Sequence, residues 1–80
     1  GSGEDLPRAE VSSEGMFLPA ACTALGFTQS NGEAKRKVAE GAVKLDDEVV
    51  KDPRFLVNPG AGTEIKLSLG KKKHGILYGI

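Results

Sequence analysis

Two hydrophobic periods divide the chain. From Met16 the apolar residues Leu18, Ala21, Cys22 and Leu25 recur at i, i+3, i+4 and i+7, the spacing of an amphipathic helix, with Pro19 acceptable only in its first turn. Gly26 ends that helix, and Phe27 is placed to pack back onto its last turn near Cys22. Thr28 and Gln29 lead to a second helix. Ser30 and Glu33 form a capping box at its start, Gly41 supplies a left-handed stop, and Ala34, Val38 and Ala42 make one stripe. Beyond Gly41 the period shortens to two. Val43 and Leu45 alternate with Lys44, Asp46 and Asp47 make a tight turn, and Glu48 to Val50 return until Asp52 and Pro53 stop the strand. Phe55 to Val57 read as an extended segment covering the core, and Asn58 to Gly62 as turn residues. In Thr63 to Leu69, Ile65, Leu67 and Leu69 face one way while Glu64, Lys66 and Ser68 face the other. Gly70 breaks this strand, Lys71 to His74 form a basic tip, and Ile76, Tyr78 and Ile80 alternate in a last strand. The pattern predicts an α+β fold: two helices packed on a small mixed β-sheet, with a β-hairpin and an exposed basic tip. Phe17, Phe27, Phe55 and Tyr78 all fall at positions assigned to the core.

Composition narrows what this fold can do. Eighty residues allow one domain and no large enclosed active site. Hydrophobic residues at 39% and charged residues at 28% suit a folded globular chain rather than a disordered one. Gly1 to Gly3 read as a cloning remnant and Glu4 to Gly15 as a flexible acidic linker, leaving residues 16–80 as the domain. A net charge of zero conceals a division. Through residue 29, Arg8 stands alone against Glu4, Asp5, Glu10 and Glu14, a net charge of −3, so the remainder carries +3. One cysteine permits no intramolecular disulfide and no cysteine-based metal site, and Cys22 reads as a small core residue in a reducing compartment. No apolar run approaches the roughly 20 residues of a membrane span.

Catalysis finds no support. The carboxylates are scattered, His74 is the lone histidine and sits among lysines, and the glycines fit caps and turns rather than a phosphate-cradling loop. No catalytic residue, metal or cofactor is expected. The positive signal is two basic clusters. Lys35, Arg36 and Lys37 fan from the second helix, with Arg36 opposite its apolar stripe and the two lysines flanking it; Lys71, Lys72, Lys73 and His74 crowd one strand junction. Such side chains hold a nucleic-acid backbone without reading its sequence, and with the aromatic residues assigned to the core, a structured RNA fits better than a splayed single strand. For His74, stacking on a base is the route to direct contact. A solvated face, or lysines protecting a sheet edge from pairing, explains the same residues. Pattern alone leaves the two readings level.

The stretch Ser30–Pro53 resembles the core motif of the S-four RNA-binding domain, the module named after small ribosomal subunit protein four. Ser30, Glu33-Ala34, Lys35-Arg36, Val38, Gly41, Val43, Asp47, Glu48, Val49 and Asp52 carry the resemblance, which helix order and strand pattern extend across residues 16–80. The tail from Gly70 to Ile80 is similar to the end of bacterial-type tyrosyl-tRNA synthetases, where this module is a C-terminal appendage. The resemblance implies a non-catalytic domain that positions tRNA(Tyr) by backbone electrostatics for the remainder of a parent synthetase. Ser30, Lys35, Arg36, Lys37, Lys44, Lys71, Lys72, Lys73 and His74 are the expected RNA contacts. Lys37 stands where the family has leucine, and Asp46-Asp47 where it has asparagine and glycine. These departures suit a divergent member, of the mitochondrial matrix or alternatively the bacterial cytoplasm. Some fungal mitochondrial members also bind group I introns. An RNA-modifying or ribosome-associated protein, and a protein-interaction module using a strand edge, are the alternative readings.

Overall fold

A computed structural model describes residues 6–80. The cloning remnant and the first two linker residues lie outside the described residues. The elements are β1 (Arg8–Val11), β2 (Met16–Phe17), α1 (Leu18–Ala24), α2 (Asn31–Ala39), β3 (Val43–Leu45), β4 (Glu48–Val49), β5 (Leu56–Val57), β6 (Glu64–Leu69) and β7 (Lys73–Gly79). Five strands form one mixed sheet in the order β1-β7-β6-β3-β4; β2 and β5 pair antiparallel in a second, two-stranded sheet. Among the described residues no helix is long and apolar enough to cross a membrane.

Both helices end as their sequences require. In α1, Pro19 occupies the first turn, and Gly26 takes φ 81° so that its N–H donates to Thr23 O and the Phe27 N–H to Cys22 O, each at 3.0 Å. The second helix repeats the motif with Gly41 at φ 82°, its N–H on Val38 O and the Ala42 N–H on Lys37 O, both 3.0 Å. This paired arrangement satisfies carbonyls that a helix end otherwise leaves bare. Leu18, Ala21, Cys22 and Leu25 of α1, with Ala34 and Val38 of α2, are buried in one core with Val43, Leu45, Leu67, Leu69 and Leu77 from the sheet. Burial pushes the Cys22 thiol up to about 11, which makes it a packing residue rather than a nucleophile.

The structure corrects the sequence reading in three places. Arg8–Val11, expected as linker, is a strand pairing parallel with β7, and Val11 is 1% exposed. Its apolar residues are too few to show a period. In β7 the residues facing the core are Gly75, Leu77 and Gly79, so Ile76 and Tyr78 lie half-buried on the opposite face and Ile80 is exposed. Of the four aromatic residues assigned to the core only Phe27 is buried there; Phe17 is 55% and Phe55 40% exposed.

Candidate nucleic-acid interface

The cation-bearing helix is fixed at both ends. The Glu33 N–H donates to Ser30 Oγ at 3.2 Å, the half of the expected capping box that Ser30 supplies, while Glu33 Oε1 accepts the N–H of Gln29 at 2.9 Å, one residue before the cap. At the other end Arg36 and Lys37 occupy the last turn, where positive charge complements the helix dipole. Burial of Ala34 and Val38 sets the rotation, so the three cations diverge. Arg36 points into solvent. Lys35 lines a hollow with Phe17, Asn31 and Arg54 on one flank. Lys37 is half-buried on the other and lines a second hollow, of about 470 Å³, that Gln29, Glu33, Leu69 and Lys73 share.

That second hollow is where helix and tip meet. The Gly70 N–H donates to Ala42 O at 2.8 Å, so the chain just past α2 is bonded to the residue where the tip begins. Gly70, at φ 70°, opens a three-residue connection set by the pairing of Leu69 with Lys73. Lys71 and Lys72 on it are exposed. Lys73 reaches across to the corner between the helices, where its Nζ donates to the Phe27 carbonyl at 2.9 Å. Its ammonium is thereby held on the same side as Lys37. His74 has a different part. Its Nε2 donates to Lys71 O at 3.1 Å, so in the neutral ring Nδ1 accepts from Ser68 Oγ, also at 3.1 Å. Both ring nitrogens are engaged within the chain, and the residue braces the tip.

The remaining expected contact lies elsewhere. Lys44 pairs with Ser68 across the sheet and shares its face, away from Val43 and Leu45 in the core; the structure does not bring it to the hollow that joins α2 and the tip. Ser30 contributes through its cap. Two residues that the sequence reading did not assign to the site join Lys35: Phe17, which it placed in the core, and Arg54, which it did not single out. The signal for Phe17 was present: it precedes the Leu18–Leu25 stripe by one residue and so falls off its face.

The cations of α2 and the tip form no ion pair among the described residues, although Glu33 lines the hollow of Lys37 and Lys73. Among the described residues the one ion pair joins Arg8 and Glu64, both more than half exposed, on the far face of the sheet. No group of histidine, cysteine and acidic residues there could hold a metal ion. Among the described residues every buried side-chain polar atom has a partner, so no orphaned group there marks an enclosed site. The arrangement gathers cations over an exposed surface.

Comparison with known proteins places this geometry in a family. Residues 18–62 match the S4 domain. The chain is 48% identical over 79 residues to a tyrosine–tRNA ligase of Novosphingobium aromaticivorans, covering 96% of this chain and 19% of that protein. It is 48% identical over 65 residues to the tyrosine–tRNA ligase of Brucella abortus, covering 78% and 14%, and 44% identical over 78 residues to that of Rhizobium meliloti, covering 89% and 19%. The chain thus spans a fifth or less of the length of these relatives.

Proposed function

The chain belongs to the S4 domain family, and from that premise we propose that it is the tRNA-binding domain of a tyrosine–tRNA ligase, positioning tRNA(Tyr) for catalysis carried out by the rest of that protein. One observation carries the reading: the bond from Gly70 to Ala42 and the shared hollow of Lys37 and Lys73 set the cations of α2 beside the lysine tip, and among the described residues none of these cations is held in an ion pair, although Glu33 lines the same hollow. A single phosphate backbone laid along that edge meets Arg36, Lys37, Lys73 and the tip lysines in one continuous contact. Such contacts fix where the RNA lies and leave sequence discrimination to other parts of the protein. The relatives' names agree with the substrate, and the domain works wherever tRNA(Tyr) is charged, the mitochondrial matrix or alternatively the bacterial cytoplasm.

Lys35→Glu combined with Arg36→Glu is expected to abolish tRNA(Tyr) binding while leaving the circular dichroism spectrum unchanged, since neither side chain is buried. For the unaltered chain, neutralising about four to six phosphates predicts a slope of roughly −3 to −5 in a plot of log affinity against log salt. An affinity that ignores salt would overturn the proposal. Group I intron RNA presents the same backbone charge, and competition between the two RNAs tests whether one face serves both.

A further inference from the structure

The flank of α2 that faces away from the lysine tip carries the hollow of Lys35, of about 350 Å³, at the small end of the range for ligand sites. Its composition differs from the rest of the surface. Phe17 is 55% exposed, although it is large and apolar. Its backbone is fixed by pairing with Leu56 and by the Leu18 N–H, which donates to Phe55 O at 2.9 Å. Beside the ring stand Lys35 from α2 and Arg54 from the turn after Pro53, with Asn31, the first residue of α2, offering an exposed amide. No acidic residue lines the hollow.

We propose that this hollow holds one unpaired nucleotide, its base stacked on the Phe17 ring and its phosphates held by Lys35 and Arg54. Asn31 faces the base edge. The proposal rests on the RNA-binding reading and deepens it: the tip side grips paired backbone, and the Phe17 side selects RNA in which one base is free to leave the stack. An aromatic face beside two cations matches the two halves of a nucleotide, a π-surface and an anion. A purely apolar partner would leave Lys35 and Arg54 without counter-charge. Because Lys35 lies on the same helix as the tip-facing cations, one RNA spanning α2 reaches both hollows.

The test uses two RNA hairpins of one stem sequence, one fully paired and one carrying a single unpaired adenosine. The unaltered chain is expected to prefer the bulged RNA, and Phe17→Leu to erase that preference by weakening the bulged RNA about 5- to 100-fold while leaving the paired RNA unchanged, the range for loss of one base–aromatic stack. The chain contains no tryptophan, so Phe17→Trp installs a sole indole reporter. Its fluorescence should be quenched by the bulged RNA and not by the paired one. Equal binding of the two RNAs by the unaltered chain, or an unchanged preference in Phe17→Leu, overturns the nucleotide pocket while leaving RNA binding in place, and assigns the patch to a covering polypeptide. Binding of neither RNA overturns the RNA-binding reading and the pocket with it.

Discussion

At the scale of single residues, the turn between β3 and β4 shows how two adjacent aspartates do different work. Asp46 and Asp47 adopt φ 50° and 70°, the left-handed pair that a two-residue hairpin turn demands and that asparagine-glycine fills most readily. Left-handed backbone costs an ordinary side chain roughly 1–2 kcal/mol, less for aspartate. Asp46 has compensation: its N–H donates to Lys66 O at 2.8 Å and its carboxylate accepts the Lys66 N–H at 3.1 Å, which joins the hairpin to β6. Asp47 makes no such bond among the described residues. Asp47→Gly is therefore expected to stabilise the chain by about 0.5 kcal/mol, the strain relieved less the added freedom of the unfolded chain, whereas Asp46→Gly removes the carboxylate anchor and destabilises it. Urea denaturation midpoints should move in opposite directions for the two variants. The position of this turn was legible from the sequence because it depends on neighbours in the chain. The reason for aspartate at 46 was not, because its partner lies twenty residues away on another strand.

At the scale of elements, the helices were legible and the last strand only half so. A helix declares itself through local signals, and here the capping box, two closing glycines and two apolar stripes all agree. In β7 the larger apolar residues Ile76, Tyr78 and Ile80 suggested the wrong inward face. Packing explains the reversal. A Cβ on Gly75 would come within 3.0–3.1 Å of the Leu25 methyls and Phe27 Cζ, and a Cβ on Gly79 would collide with the Gly60 carbonyl. Glycine faces inward because the α1 corner and the 60–62 turn press onto the sheet there. The outward residues gain cover in another way: Arg8 lies 5.6 Å from the centre of the Tyr78 ring and pairs with Glu64. Gly79→Ala should cost about 3 kcal/mol or more, because the obstructing atom is backbone, while Gly75→Ala should cost about 1 kcal/mol, because the Leu25 methyls can yield. Chemical denaturation of the two variants checks that order; equal losses would mean that the turn gives way as easily as a side chain.

At the scale of the whole molecule, the two ends of the chain close one sheet, and the binding edge lies apart from that closure. Val11 is buried against a core that includes Leu77, and β1 covers an edge of β7 through the Ile76 N–H to Pro7 O at 2.9 Å and the Ile80 N–H to Val11 O at 3.0 Å. The candidate cations belong to α2, β3, the turn after Pro53, the β6–β7 connection and the start of β7, none of them to β1. Acidic composition made the first fifteen residues look dispensable, since parallel pairing with the far end of a chain leaves no local period to read. A chain beginning at Ser12 separates the two roles. It loses the buried Val11 side chain, worth roughly 1.5–3 kcal/mol, and it bares the backbone of β7 as a template for another chain. Its thermal midpoint should fall by about 10 °C, from the 4–8 °C per kcal/mol of a domain of this size, and sedimentation should show association that grows with concentration. The folded monomer should bind tRNA with the same affinity and salt slope as the full chain, because every proposed contact is retained. A weakened slope in that monomer would mean that β1 holds the binding edge in shape, and the separation of scaffold from surface would be lost.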